Sequence, residues 1–218
     1  MTAFLNKAAL ARGLRFLSDR DADMARILKQ IGPPPMWERE AGFHTLLHII
    51  LEQQVSLASA RAAYERLRAA CRPLTPERFL QLDDDTLKTI GFSRQKTTYG
   101  RNLAQSILEG RLDIGALNRM DDTAVRSELT SIKGIGNWTA DIYLLMALGR
   151  PDVWPCGDLA LAVAVQRVKG LETRPGPQEL EALGAAWQPW RAVAARLLWH
   201  YYLTSQKQRR DSRLSLKI

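Results

Sequence analysis

Thr130-Ser131-Ile132-Lys133-Gly134-Ile135-Gly136-Asn137-Trp138-Thr139-Ala140-Asp141 is the stretch that decides the fold of this chain. Residues 130–132 read as the end of one helix, Gly134 to Gly136 as a tight turn, and the residues from Trp138 onward as a second helix. A turn joining two helices this closely needs positive φ or close backbone approach, and glycine permits both because it has no Cβ to clash. The pattern is a helix-hairpin-helix. The N–H groups of Gly134, Ile135, Gly136 and Asn137 would then point outward together, with the positive end of a helix dipole behind them, as a seat for a phosphate. Hairpins of this kind grip nucleic-acid backbone without reading sequence. The same residues also suit an ordinary connection between helices with glycine as C-cap, and spacing alone does not separate the two.

Downstream stands Cys156-Gly157-Asp158. The second hairpin helix spans roughly 16 Å at the usual rise. Residues 149–157, held extended by Pro151 and Pro155, reach about 25 Å, so the chain is long enough to return to the hairpin end. Asp158 precedes an uninterrupted helical run over residues 159–168, which makes it an N-cap whose carboxylate accepts backbone N–H bonds. Those bonds and the helix dipole favour a charged carboxylate. A plain N-cap is the commoner fate of such an aspartate; the hairpin upstream adds the alternative of an anion placed beside bound DNA.

On these residues the chain resembles the helix-hairpin-helix DNA glycosylases with a downstream Gly/Pro-Asp element, in their 3-methyladenine DNA glycosylase II (AlkA-like) branch. The resemblance runs from about residue 19 to residue 204. It implies an all-α fold of two lobes with the active site in the interlobe cleft. One lobe would be residues 43–150 with the hairpin at 130–140; the other would combine residues 1–42 with 151–218. The separate N-terminal β-containing domain of longer relatives has no room here, so a short form is expected. Asp158 becomes the catalytic aspartate. Bifunctional members carry a Schiff-base lysine two residues after the second hairpin glycine, and here that position is Trp138. Lysine would attack the sugar and permit strand cleavage, so the resemblance implies a monofunctional enzyme without lyase activity. Lys133, where relatives often have proline, reads as a phosphate contact or a solvated charge.

The same resemblance implies a base pocket. Trp138 and Trp199 line it, Phe43 lies near its mouth, His200 stands where close relatives have tyrosine, and Ile142 where an aromatic also occurs. Electron-rich faces suit a cationic alkylated base, since cation–π attraction reaches about 2 kcal/mol when desolvated. Gln53 and Gln54 fall where relatives insert a side chain into the gap left by a flipped nucleotide, although some relatives use leucine there; taken alone they are also a solvated helix end. A sodium or potassium ion on the carbonyls of Thr130, Ile132 and Ile135 is the one metal implied. The implied reaction is release of 3-methyladenine, 7-methylguanine and similar bases, leaving an abasic site. Other glycosylases of this fold, acting on uracil, mismatches or oxidised bases, and a noncatalytic DNA-binding module are the competing readings.

Composition agrees with such a partner. A chain of 218 residues, 46% hydrophobic, is long enough to bury a core. Its net charge of +8 and pI near 9.8 favour a polyanion, and double-stranded DNA bearing damaged bases is the expected partner of a monomer. Two cysteines, Cys71 and Cys156, fall short of the four thiolates of an iron-sulfur cluster, and no cofactor is expected. No apolar run approaches ~18 residues, and a cytoplasmic bacterial protein is expected.

The remaining chain reads as helical almost throughout. Residues 1–17, basic and without an acid, suggest either a first helix with Leu10, Leu14 and Leu17 on one face or a transit peptide. Helices are expected over residues 23–31, 43–51, 57–70 and 83–90, the last closed by Gly91. Residues 91–96 read as a basic loop whose Arg94 and Lys96 touch phosphate or solvent. Asp122 opens the first hairpin helix, Pro177 another, and residues 189–202 form the last large one. Lys207, Arg209, Arg210, Arg213 and Lys217 read as a basic, disordered tail.

Overall fold

The computed structural model describes residues 4–215, with side chains through residue 209. Among these residues the chain is helical, without a strand, and it divides into two compact units, Glu38–Leu148 and the combination of Met1–Trp37 with Gly149–Ile218. None of the described helices is long and apolar enough to cross a membrane.

The unit Glu38–Leu148 is built around α3 (Phe43–Glu52), whose Leu46, Leu47, Ile49 and Ile50 are fully buried. Each such side chain contributes roughly 1.5–3 kcal/mol. Helices α4 (Leu57–Ala70), α7 (Arg94–Leu108) and α9 (Asn137–Met146) pack on α3, while α5 (Pro76–Leu80), α6 (Asp84–Ile90) and α8 (Asp122–Thr130) complete the unit. Polar residues set the helix starts. Ser56, Thr75, Asp83, Ser93 and Asp121 each accept a backbone N–H from the first turn that follows. Tyr143 of α9 accepts the Gly42 N–H at 3.1 Å, fastening α9 to the start of α3, and burial pushes its phenol up to about 12, so it stays neutral.

The second unit joins α1 (Lys7–Arg20) and α2 (Ala22–Ile31) to α10 (Leu159–Lys169), α11 (Pro177–Gly184) and α12 (Arg191–Ser215). Helix α12 packs on α10, α2 and α1, with Ala192 to Ala195, Leu197 and Leu198 fully buried. Leu10, Leu14 and Leu17 are buried on α1 as their spacing suggests. Residues 1–3, part of the segment that could mimic a transit peptide, lie outside the described residues. Asp21 caps α2 and also receives Lys169 Nζ at 2.7 and 2.8 Å and the Trp187 indole N–H at 2.8 Å.

Two expectations change. Residues 91–96 are not all loop: Ser93 is an N-cap, and Arg94 and Lys96 stand in the first turn of α7. The basic tail continues α12 to Ser215 rather than losing its structure, while Lys217 lies outside the described residues. Lys207, Gln208, Arg209, Arg210 and Arg213 are good helix formers, and the four basic ones suit a helix C-terminus, although Asp211 and Ser212 stand among them. Net charge alone mistook a helical extension for a solvated coil.

Candidate active site

The hairpin between α8 and α9 is closed by the Ile135 N–H donating to the Ile132 carbonyl at 3.0 Å, with both isoleucine side chains buried. Its glycines serve different ends. Gly134 has φ of 107°, and a Cβ there would overlap the Tyr99 ring. Gly136 has extended backbone, with φ of −99°, and a Cβ there would meet nothing within 4 Å. It is the N-cap of α9, yet offers no side chain to the first N–H groups of that helix. Gly136 and Asn137, at this terminus, are exposed. Arg126 of α8 meets the buried Asp141 of α9 at 2.6 Å and ties the two hairpin helices together.

The junction of α3 and α4 leans on this hairpin. Gln53 Nε2 donates to the Gly134 carbonyl and to Thr139 Oγ1, both at 3.0 Å. The last turn of α3 is held from two further sides. Arg39 clasps Glu52 through two bonds of 2.7 and 2.9 Å, and Lys96 Nζ donates to the Leu51 carbonyl at 2.7 Å. Burial lowers the pKa of that lysine. Beyond these anchors Gln54 is exposed with φ of 56°, followed by exposed Val55 and Leu57.

In the other unit Asp158 caps α10 as its position in the sequence suggests. Its Oδ1 accepts the Leu161 N–H at 2.7 Å and also the Trp199 indole N–H at 3.0 Å. The second bond reaches across 41 residues, from a tryptophan only 7% exposed. Nothing in local spacing announces it; only the apolar face of α12, folding Trp199 toward α10, could have suggested it.

The remaining candidates divide by surroundings. Trp138 is half-buried in the first turn of α9. Phe43 and Ile142 are buried within the core of Glu38–Leu148, Phe43 with its ring edge-on to Phe79 at 5.9 Å. His200 Nε2 lies 3.2 Å from the Ile31 carbonyl, with its ring edge-on to Trp37 at 6.4 Å. Arg94 and Lys133 are exposed, and the Lys133 carbonyl accepts from Asn102 at 3.4 Å. Sequence reasoning passed over Trp37, a bulky residue with φ of 48°. Among the described residues no group of three or more His, Cys, Asp or Glu side chains could hold a metal ion.

A helix-hairpin-helix followed by an aspartate N-cap, each at the residues described, defines a class. Residues 47–190 match the model of the HhH-GPD superfamily base excision DNA repair proteins, and the chain belongs to that family. It is 31% identical over 166 residues to YfjP of Bacillus subtilis, covering 72% of this chain and 58% of that protein's length. To the DNA-3-methyladenine glycosylase 1 of Schizosaccharomyces pombe it is 26% identical over 190 residues, covering 84% of this chain and 83% of the relative. Among solved structures, the DNA-3-methyladenine glycosidase from Bacillus halodurans is similar with a TM-score of 0.72 and 30% identity, over 89% of this chain and 91% of that one. The Schizosaccharomyces pombe 3-methyladenine DNA glycosylase Mag1 in complex with abasic DNA shares the fold, with a TM-score of 0.80 at 24% identity over 86% and 95% of the two chains.

Proposed function

We propose that the protein is a monofunctional DNA glycosylase of base excision repair that releases alkylated purines such as 3-methyladenine and 7-methylguanine from double-stranded DNA. The observation that carries this is Asp158 itself, a carboxylate positioned by the Leu161 N–H and the Trp199 indole in a chain of this family. Relatives named for 3-methyladenine support the substrate class.

The division of labour follows from the residues. The hairpin N–H groups with Lys133 and Arg94 hold phosphate, and Gln54 enters the gap that a flipped nucleotide leaves. Extraction costs a few kcal/mol, least for a base already damaged. A purine alkylated at N3 or N7 carries positive charge and leaves as a neutral base with the electrons of the C1′–N bond. The deoxyribose becomes oxocarbenium-like, and the Asp158 carboxylate stabilises that developing charge. Water then adds its oxygen to C1′, and the carboxylate orients it or accepts its proton. Trp199, whose indole bonds Asp158, supplies an aromatic face suited to a cationic base. Because Trp138 occupies the lysine position of bifunctional relatives, no Schiff base forms and the strand stays intact. A sodium or potassium ion would sit on the Thr130, Ile132 and Ile135 carbonyls, where Ile132 already accepts one hydrogen bond and keeps a second lone pair. The acting species is a monomer.

Methylated duplex DNA, incubated with the protein and assayed by chromatography of the freed bases, tests the reading. Release of 3-methyladenine and 7-methylguanine, with strand breaks appearing only after alkali, is expected. Release of uracil or an oxidised base instead would transfer the protein to another branch. No release from any of these duplexes, with tight binding retained, would leave a DNA-binding module.

A further inference from the structure

We infer that Gln53 is a positioning residue that couples the intercalating turn to the phosphate-binding hairpin, so that the two parts of Glu38–Leu148 that meet DNA engage it together. The inference rests on the reading of Gln54 as the side chain that enters the gap.

Gln54 holds a strained backbone. A non-glycine residue with φ of 56° is held there by what surrounds it. Up to Gln53 the chain is anchored on every side: Glu52 by Arg39, the Leu51 carbonyl by Lys96, and the Gln53 side chain by the hairpin. Gln54 is the first residue beyond these anchors, and it is exposed. Adjacent glutamines thus have opposite fates. One turns its amide inward and spends both N–H donors on Gly134 and Thr139; the other is thrust outward by the left-handed backbone that follows.

The partners of Gln53 give the coupling its meaning. The Gly134 carbonyl belongs to the glycine whose positive φ shapes the hairpin, and Thr139 stands in the first turn of α9, whose N–H groups face the phosphate site. A glutamine that merely filled space would not need both acceptors. Here one side chain ties the turn that carries the wedge to the two backbone elements that carry the anion site. Phosphate bound at the hairpin therefore fixes the height at which Gln54 meets the base stack, and a displaced hairpin would carry the wedge with it.

The test uses two duplexes, one intact and one bearing a tetrahydrofuran abasic analogue, and the ratio of their dissociation constants. That ratio isolates gap filling from general phosphate affinity and needs no chemistry. Wild type is expected to prefer the abasic duplex, and Gln54→Ala to lose that preference. Gln53→Ala, and Gln53→Glu, which keeps the shape but removes both donors, are expected to lower the preference about tenfold, as two hydrogen bonds of ordinary strength would. Their loss should fall on the abasic duplex far more than on the intact one. Thr139→Val removes one acceptor and should give an intermediate loss. In the Gln54→Ala background, Gln53→Ala should cost nothing further, because its effect passes through the wedge. Additive losses, equal losses on both duplexes, or an unchanged preference in Gln53→Ala would each overturn the inference, as would a wild type without preference for the abasic duplex. A wild type that prefers the abasic duplex but releases no alkylated base would sink the proposed substrate while leaving the coupling intact.

Discussion

The hairpin of Glu38–Leu148 and the Asp158 element of the other unit are both helix N-termini, yet they treat their first N–H groups in opposite ways. At α9 the N-cap is Gly136, which brings no side-chain acceptor to the first turn. At α10 the N-cap is Asp158, whose carboxylate accepts the Leu161 N–H and takes a second donor from Trp199. The first terminus brings no anion of its own and the second carries one. Under the proposed function the same dipole serves phosphate binding in one place and carboxylate placement in the other. The residue at the N-cap decides which.

Asp158→Asn strikes this contrast hardest. Asparagine is as good an N-cap as aspartate, and its oxygen can still accept from Leu161 and Trp199, so the fold should survive with stability changed by less than about 1 kcal/mol. The negative charge is lost, and single-turnover excision should fall about a thousandfold or more, in line with removal of electrostatic stabilisation from a transition state. Binding to lesion DNA should persist. Excision at the wild-type rate would show Asp158 to be only a cap, and the two helix termini would no longer differ in purpose.

The hairpin glycines come next. Gly134→Ala places a Cβ into the Tyr99 ring at a φ that alanine resists, and a loss of about 3 kcal/mol is expected from strain and overpacking together. Gly136→Ala meets open space on ordinary extended backbone, so thermal unfolding should shift little. Its methyl group instead stands where a phosphate would approach, and affinity for intact duplex should fall while stability holds. Equal melting temperatures for the two variants would break the distinction between a glycine needed by the fold and one needed by the ligand.

Most of this architecture was legible because its signals are local. Ser56, Thr75, Asp83 and Asp158 announce helix starts by residue type, and Leu46, Leu47 and Ile50 show a buried face by spacing. What stayed hidden is long-range and polar. Neighbouring glutamines cannot be told apart in sequence, yet Gln53 faces Gly134 because α3 packs on α9, and Gln54 turns outward. Lys96 read as a contact to phosphate or solvent, whereas α7 brings its Nζ to the Leu51 carbonyl. Trp199 was placed by resemblance in a base pocket, but the bond of its indole N–H to Asp158 arises only through the packing of α12 on α10. His200, placed by resemblance in a base pocket, has the end of α2 and Trp37 as its neighbours.

The smallest expected effect probes whether the unit that carries Asp158 is held by such long-range polar contacts at all. Asp21 caps α2 while drawing Lys169 from α10 and Trp187 from the turn after α11. Burial pushes its carboxyl up, but the hydrogen bonds from Lys169 and Trp187 outweigh that and leave it below the usual range, and Asp23, bonded by Arg26 and Lys169, is lowered as well. Asp21→Asn preserves the cap and removes the charge opposite Lys169, so a loss of about 1–2 kcal/mol is expected at pH 7. The sign of its pH dependence is set by the lowered folded value. An aspartate that holds its proton less tightly when folded contributes stability above the unfolded value near 3.9, and loses it as the pH falls through the folded one. The gap in unfolding free energy between wild type and Asp21→Asn should therefore be full at pH 6 and narrow on acidification below about pH 4. A gap that stayed constant down to pH 3 would mean that the aspartate acts through shape alone, and that α10 is held against α2 by its apolar face rather than by Lys169.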